Sequence, residues 1–150
     1  MAAGDPIVAV GTAKTLEASG ASISVDATVQ ADDATYVLST DAAGWPDAEF
    51  ALTCAFGTAP TAGRVLLLLA RALDVAGAND APVPSSTRAA HYVGAFSVAA
   101  TTATQYLPLS GLVAYDLPRA AEYYVCNSTN QTVSSGWQLT VTPRAIVPTP

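Results

Sequence analysis

The sequence predicts an all-β domain: a β-sandwich of jelly-roll type with an extended N-terminal arm and a C-terminal tail. Turn clusters rich in Gly, Pro, Asp, Asn and Ser separate about eight to ten short runs of β-branched or aromatic residues. No stretch carries the apolar periodicity of an amphipathic helix. The 150 residues fit a single domain that buries most of its apolar surface.

The N-terminal part of the chain, residues 1–20, is rich in Ala, Gly and Thr and shows little pattern. We expect it to form an extended arm with one edge strand near residues 7–10. The sandwich is expected over residues 21–143, and it begins with short strands at residues 21–25 and 35–39.

The clearest strand signal lies in residues 48–56, where every second residue from Ala48 to Phe56 is apolar. A turn follows, and then a run of leucines within residues 64–71. That run has the length of a strand, and turn residues bound it. We therefore expect a central strand that is buried on both faces.

The second half of the chain continues in the same way. Further strands are expected at residues 91–98, 105–109, 112–117 and 122–126. Gly94 marks a bulge in the first of these. A last strand at residues 136–142 places three apolar residues on one face: Trp137, Leu139 and Val141. The tail, residues 144–150, is expected to lie extended on the surface.

The composition indicates a surface that is easily buried. Charged residues make up 12% of the chain, against about 25% in a typical domain. Little desolvation opposes the burial of such a surface, although a genome of high GC content would explain the abundant Ala equally well. The net charge is −6 and Lys14 is the single lysine. Nucleic acid and anionic membranes are therefore poor partners, because both need clustered cations.

The N-terminus lacks the basic region and the apolar stretch of a secretion signal. The longest apolar run, residues 65–70, is far shorter than the roughly 20 residues of a membrane span. We expect a protein that is made in a cytoplasm and has no membrane-spanning segment.

Residues that could carry catalysis are few. His91 is the sole histidine, and one histidine with two distant cysteines does not make a tetrahedral zinc site. Paired carboxylates remain as candidates for acid–base chemistry, either Asp32 with Asp33 or Asp47 with Glu49. Most acidic residues, however, fall where turns are expected. We predict a protein that is not an enzyme and that holds no cofactor or metal.

The two cysteines, Cys54 and Cys126, fall in different expected strands. Tyr124 precedes Cys126 by two residues, as in the tyrosine corner of immunoglobulin domains. No tryptophan follows Cys54 at the distance that those domains show. Without a secretion signal, two reduced and buried cysteines are favoured, and a disulfide stays as the alternative.

Three other features suggest ligand sites. Residues 74–80 offer three oxygen-bearing side chains around a glycine for calcium, but they lack the spacing of an EF-hand, and a plain turn is favoured. Asn127 and Asn130 begin glycosylation sequons, which matter only in a secretory pathway. Trp45, with the tyrosines at 123–124, could form an aromatic platform for sugars, although a structural role is more common.

Several segments together resemble a family of small tailed-bacteriophage virion proteins of β-sandwich type, the capsid decoration or accessory structural proteins. The likeness covers roughly residues 33–143 and depends on the order and spacing of the segments. Representative pieces are Trp45-Pro-Asp-Ala-Glu-Phe50, Tyr92-Val-Gly-Ala-Phe-Ser-Val98, Tyr124-Val-Cys-Asn127 and Gly136-Trp-Gln-Leu-Thr-Val-Thr-Pro143. The resemblance implies a non-enzymatic part of a virion, made in the bacterial host cytoplasm, with no catalytic residues carried over.

A cement protein seated on the major capsid protein lattice fits this resemblance, and we expect a homo-oligomer with a trimer favoured. Other virion proteins are possible partners. The arm and the tail are the expected contact regions, and deleting residues 2–20 should leave the sandwich folded. The expected contact residues are Ile7, Val8, Val10, Trp45, Ile146 and Val147. The alternative is a tail- or fibre-associated module that binds a host-surface glycan.

Overall fold

A computed structural model describes residues 6–74, 79–85, 91–113 and 116–148. These residues contain nine strands and one short helix. In chain order the elements are β1 (Pro6–Val10), β2 (Lys14–Gly20), β3 (Thr28–Val37), α1 (Leu38–Asp41), β4 (Asp47–Cys54), β5 (Val65–Ala72), β6 (His91–Ser97), β7 (Gln105–Val113), β8 (Ala120–Asn127) and β9 (Trp137–Pro148).

The strands form two antiparallel sheets that pack face to face. The first has the order β1-β9-β4-β7, with β2 also pairing with β9, and the second has the order β3-β8-β5-β6. The pairs β2–β9, β3–β8, β4–β7 and β5–β6 are nested one inside the next along the chain. This nesting of the eight strands β2 to β9 across two layers is the jelly roll. The predicted fold class is confirmed.

The core lies between the two sheets. Along β4 the buried positions are Ala48, Phe50, Leu52 and Cys54, as the alternation predicted. On β9 the predicted face is also confirmed, with Trp137, Leu139 and Val141 buried. The ring centroid of Phe50 in the first sheet lies 4.9 Å from that of Tyr123 in the second. Aromatic packing therefore joins the two layers directly.

The N-terminal region differs from the expected arm. The edge strand near residues 7–10 is present as β1, but residues 14–20 form β2 and pair with β9. Leu16 of β2 is fully buried in the core. Because β2 contains this single large apolar side chain, no alternation in the sequence could reveal it. The expected tail is also part of the sheet, since β9 continues to Pro148.

Three shorter predictions were wrong in detail. Residues 21–25 form no strand; Ile23 makes a single bridge to Val133. The strand expected at residues 35–39 ends at Val37, whose N–H donates to the Asp41 carboxylate of α1 over 2.7 Å. The two strands expected at residues 105–109 and 112–117 are one strand, β7, which contains Pro108 and continues to Val113. An edge strand tolerates a proline because its outer side needs no N–H donor.

Strands β5 and β6 differ in how well the sequence predicted them. Leu66, Leu68 and Ala70 of β5 are buried, whereas the residues between them are half-buried. The prediction of burial on both faces is wrong, since only one face of the second sheet lies against the first. The bulge predicted at Gly94 is confirmed, because the register with β5 shifts between Leu68 and Leu69 and leaves Val93 unpaired.

Candidate protein-binding surface

The ends of the chain meet in a two-stranded ribbon. Strand β4 pairs with β9 only as far as Arg144, which lies opposite Asp47. Beyond that point, within the described chain, residues 145–148 pair with β1 alone. We call Pro6–Val10 together with residues 145–148 the β1–β9 ribbon. It extends the first sheet past the end of β4.

The outer face of this ribbon is apolar and exposed. Val8 lies directly opposite Ile146, and Val10 is on the same face two residues along. Val8 is 56% exposed, Val10 63% and Ile146 76%. Ile7 lies opposite Val147 on the other face, and both are half-buried. The structure therefore brings together five of the six expected contact residues, which the sequence had placed on two separate segments.

The sixth expected residue, Trp45, supports the base of the ribbon. Its side chain is partly buried and packs against the core. The ring lies over Gly11, where an added Cβ would be 3.2 Å from both Trp45 and Pro143. The Gly11 N–H donates to the Pro143 carbonyl over 2.8 Å. Trp45 is thus a packing residue, the role that the sequence made the more common one.

The β1–β9 ribbon carries no charge of its own. None of its nine residues is ionisable. At its base, Arg144 and Glu49 form an ion pair with 2.5 Å between a guanidinium nitrogen and a carboxylate oxygen. Burying the outer face of the ribbon against a partner would therefore desolvate mainly apolar atoms and strand backbone.

The aromatic platform suggested by the sequence does not form. Tyr123 is fully buried and Tyr124 is 3% exposed. The Tyr124 hydroxyl lies 3.2 Å from the Gln30 side-chain oxygen and 3.0 Å from a Glu122 oxygen. Burial, and then the bond to Glu122, raise the pKa of Tyr124 to about 12. Neither ring is available to stack on a sugar.

The two cysteines point to different places. Cys54 faces the core from the first sheet, and burial raises the pKa of its thiol to about 11. Cys126 follows the inward-facing Val125 of β8, so it lies on the outer face of the second sheet. Both are free, as the favoured interpretation predicted, but only Cys54 is buried, whereas Cys126 is partly exposed. A thiol with a raised pKa is a weak nucleophile at neutral pH.

Three of the four carboxylates considered for acid–base chemistry have partners. Glu49 pairs with Arg144, and the Asp47 carboxylate accepts the Ala48 N–H over 2.8 Å. Asp33 accepts the Ala18 N–H over 2.6 Å. His91 is exposed at the start of β6, as expected. These contacts give Glu49, Asp47 and Asp33 structural roles within and between strands.

An acidic cluster that the sequence did not reveal lies between β2 and β3. Carboxylate oxygens of Glu17, Asp32 and Asp33 fall within 4.8 Å of one another. Glu17 is buried, and its two oxygens accept N–H groups from Ser19 and Asp32. The bonds to Glu17 and Asp33 connect the edges of the two sheets, and we interpret the cluster as that connection.

The remaining candidate sites are structural where they are described. Asn127 is fully buried, and its amide donates to the carbonyls of Ile23 and Gln131 over 2.9 and 2.8 Å. The folded chain therefore does not present this sequon. In the loop that was considered for calcium, where a plain turn was favoured, the Asp80 carboxylate accepts the Asp74 N–H and lies 3.6 Å from Arg71. Residues 75–78 of that loop lie outside the described residues.

Comparisons with known proteins leave the family open. No family model matches the chain, and no curated protein matches it. One similar solved chain comes from a structure titled "Structure of infectious bursal disease virus Gx strain". The identity is 10%, the TM-score is 0.43, and the match covers 93% of this chain and 32% of that one. This chain thus spans about a third of the other's length, and we base no argument on the likeness.

The resemblance to tailed-phage virion proteins therefore stays a prediction. Within the described residues, no helix is long and apolar enough to cross a membrane.

Proposed function

We propose that this chain is a non-enzymatic structural protein of a tailed-phage virion, a capsid decoration protein that binds the major capsid protein lattice through the β1–β9 ribbon. The observation that carries the proposal is the exposure of Val8, Val10 and Ile146 together on an uncharged ribbon that extends past the sandwich. Contiguous apolar side chains on a protein surface commonly mark a protein-binding site.

A repeating lattice suits a surface of this size. Three exposed aliphatic side chains supply only a few kcal/mol of apolar burial, at roughly 25 cal/mol per Å². A single contact would therefore be weak. On a shell, the same contact repeats at every equivalent position, and tethering of neighbouring copies raises the effective concentration without new chemistry.

The architecture is compatible with this role but does not specify it. Jelly rolls occur in viral capsid proteins and in lectins, and a fold by itself does not imply a function. Recognition of a host glycan would need exposed aromatic rings that share one face. The residues that suggested such a platform, Trp45 and the tyrosines at 123–124, lie against the core or within it. The exposed tyrosines, Tyr92 and Tyr106, belong to different sheets and so do not share a sheet face. We therefore favour shell binding over glycan binding.

The proposal is tested by co-sedimentation of the protein with tailed-phage capsids that lack it, followed by heating to compare shell stability. We expect saturable binding and a raised disruption temperature. The double substitution Val8→Ser with Ile146→Ser should weaken shell binding roughly tenfold or more, because each serine removes apolar contact area.

The matched control is Tyr106→Ser. Tyr106 is 76% exposed and lies on the outer face of the first sheet at its opposite edge. This control should bind shells as the wild type does. The proposal fails if the wild type shows no saturable binding, or if the control loses binding and the ribbon variant keeps it.

A further inference from the structure

The edges of the two sheets are protected unequally. Natural proteins blunt exposed edge strands with prolines, charges and bulges, which prevent pairing with another chain. Strand β7 carries Pro108, which has no N–H to donate. Strand β3 carries Asp32 and Asp33 and has a register irregularity between Ala31 and Tyr36. Strand β6 has the bulge at Val93.

The remaining edge consists of β2 and β1, and only its β2 half is covered. At β2, the carboxylates of Glu17 and Asp33 bind backbone N–H groups and connect this strand with β3. Strand β1 has none of the three protective features along residues 7–10. Its register with β9 is regular throughout, it carries no charge, and its proline stands at the first position. No described strand pairs with its outer side.

We propose that the outer edge of β1 pairs antiparallel with β1 of a second copy of this chain, about a two-fold axis at Val8. Val8 is the centre of the five-residue strand, so this register pairs all five residues of each copy. It also places Val8 beside Val8 of the second copy on the same face, a favourable β-branched cross-strand pair. A two-fold contact needs no second kind of surface, because the same patch serves both copies.

Charge disfavours most contacts between two copies, but it does not oppose pairing at the β1 edge. Each chain carries a net charge of −6, so most approaches between two copies bring like charges together. The β1–β9 ribbon is neutral, and the adjacent Arg144 and Glu49 compensate each other. The β1 edge is therefore a place where backbone pairing can form with little electrostatic opposition.

The dimer contact and the proposed shell contact use different surfaces of the ribbon. The dimer contact uses the backbone edge of β1, whereas the shell contact uses the exposed side-chain face. The paired ribbons would form one continuous sheet with Val8, Val10 and Ile146 of both copies on one side. A dimer would thus present two shell-binding faces in the same direction.

The test is sedimentation equilibrium of the full chain without shells, so that its outcome is independent of shell binding. We expect a concentration-dependent dimer for the wild type. Val8→Lys and Val8→Glu should each weaken dimerisation roughly tenfold or more, because each puts like charges directly opposite at the axis. Mixing the two variants should restore association as a heterodimer. Val8 is exposed, so both variants should keep the wild-type circular dichroism spectrum.

The matched control is Tyr106→Lys, which adds one charge to an exposed residue at the opposite edge of the same sheet. It should dimerise as the wild type does. A monomeric wild type, a trimer, equal loss of dimer in the control, or a mixture that fails to associate would each overturn the proposal.

Discussion

The two halves of β9 behave differently although they belong to one strand. Its first half, Trp137 to Val141, lies between β2 and β4, and Trp137, Leu139 and Val141 are at most 1% exposed. Its second half, beyond Arg144, pairs only with β1 among the described strands, and Ile146 is 76% exposed. The first half belongs to the sandwich body, and the second forms the β1–β9 ribbon.

This difference shows that the strands and the sheet packed around a residue decide whether it is buried. Alternation along a strand decides only which residues share a face. Both halves of β9 contain apolar residues. Only the first has the second sheet behind it and paired strands on both sides. Stability should therefore reside in the body and binding in the ribbon. The predictions below test that division, beginning with the largest effect.

Deleting residues 2–20 should unfold the protein, whereas deleting residues 2–10 should leave it folded. The longer deletion removes Leu16 from the core and the Glu17 carboxylate from its bonds to β3. Losing a buried leucine side chain alone costs about 2–5 kcal/mol, against a net stability of about 5–15 kcal/mol. Thermal unfolding followed by circular dichroism measures both. This replaces the expectation from the sequence that the longer deletion leaves the sandwich folded and only weakens assembly. Equal behaviour of the two deletions would contradict the division.

Gly20→Ala should destabilise the body by about 3 kcal/mol. An added Cβ would lie 2.1 to 2.5 Å from three ring atoms of Trp137. That ring is fixed by its core packing and by the bond from its Nε1 to the Ala21 carbonyl over 2.7 Å, so it has little room to move. Urea unfolding gives the free energy.

The control for this substitution is Gly57→Ala, where no described heavy atom lies within 4 Å of the added Cβ. It should change the free energy of unfolding by less than about 0.5 kcal/mol. If Gly20→Ala were as mild as its control, Trp137 could not be closely packed against β2.

Alkaline pH should destabilise the body through its buried tyrosines. Burial, and then the charge of Asp41, raise the pKa of Tyr36 to about 12. Between the ordinary value near 10 and this raised value, the unfolded chain releases a proton that the folded chain keeps, so stability falls as pH rises. Tyr36→Phe should flatten this fall. We would compare urea unfolding at about pH 7 and about pH 11.

At neutral pH the same variant should be neutral or more stable by up to about 1 kcal/mol, because the buried Tyr36 hydroxyl has no hydrogen-bond partner in the described structure. Tyr124→Phe is the comparison. It removes a hydroxyl bonded to Gln30 or Glu122 and should cost about 1 kcal/mol at neutral pH. If Tyr36→Phe lowered the free energy of unfolding as much as Tyr124→Phe, the Tyr36 hydroxyl would have a hydrogen-bond partner that the described structure does not show.

The smallest effect on stability is expected in the ribbon. Ile146→Thr should change the free energy of unfolding by less than about 0.5 kcal/mol, because the side chain is mostly exposed. Leu139→Thr, in the buried half of the same strand, should cost about 3 kcal/mol. Chemical unfolding of both variants compares the two halves of β9 directly, and similar losses would show that the ribbon is part of the core.

The elements with strong local signals were predictable. The alternation in β4 and in the first half of β9 is confirmed residue by residue, and the bulge at Gly94 follows from a glycine within a strand pattern. Strand β2 was missed because one leucine among small and polar residues carries no periodic signal. The leucine run of β5 was assigned to the wrong environment, since leucines at every position cannot show which face meets solvent.

The candidate site was predictable only in part. The expected contact residues Ile7, Val8, Val10, Ile146 and Val147 were correctly noted as apolar residues near the two ends of the chain. Their union in one ribbon was not foreseen, because pairing between β1 and β9 spans nearly the whole sequence. The particular contacts of Trp45 were not foreseen for a similar reason, because Gly11 and Pro143 come from distant segments.

The sequence by itself determined the all-β class, most strand positions and the inward faces of β4 and β9, because these follow from alternation and turn residues within a few neighbours. Only the tertiary structure decided the nested strand order, the inclusion of β2 in the core and the open edge of β1. Strand pairing joins residues that are far apart in the chain, and burial depends on which layer lies behind a strand. Neither quantity is a property of any local segment.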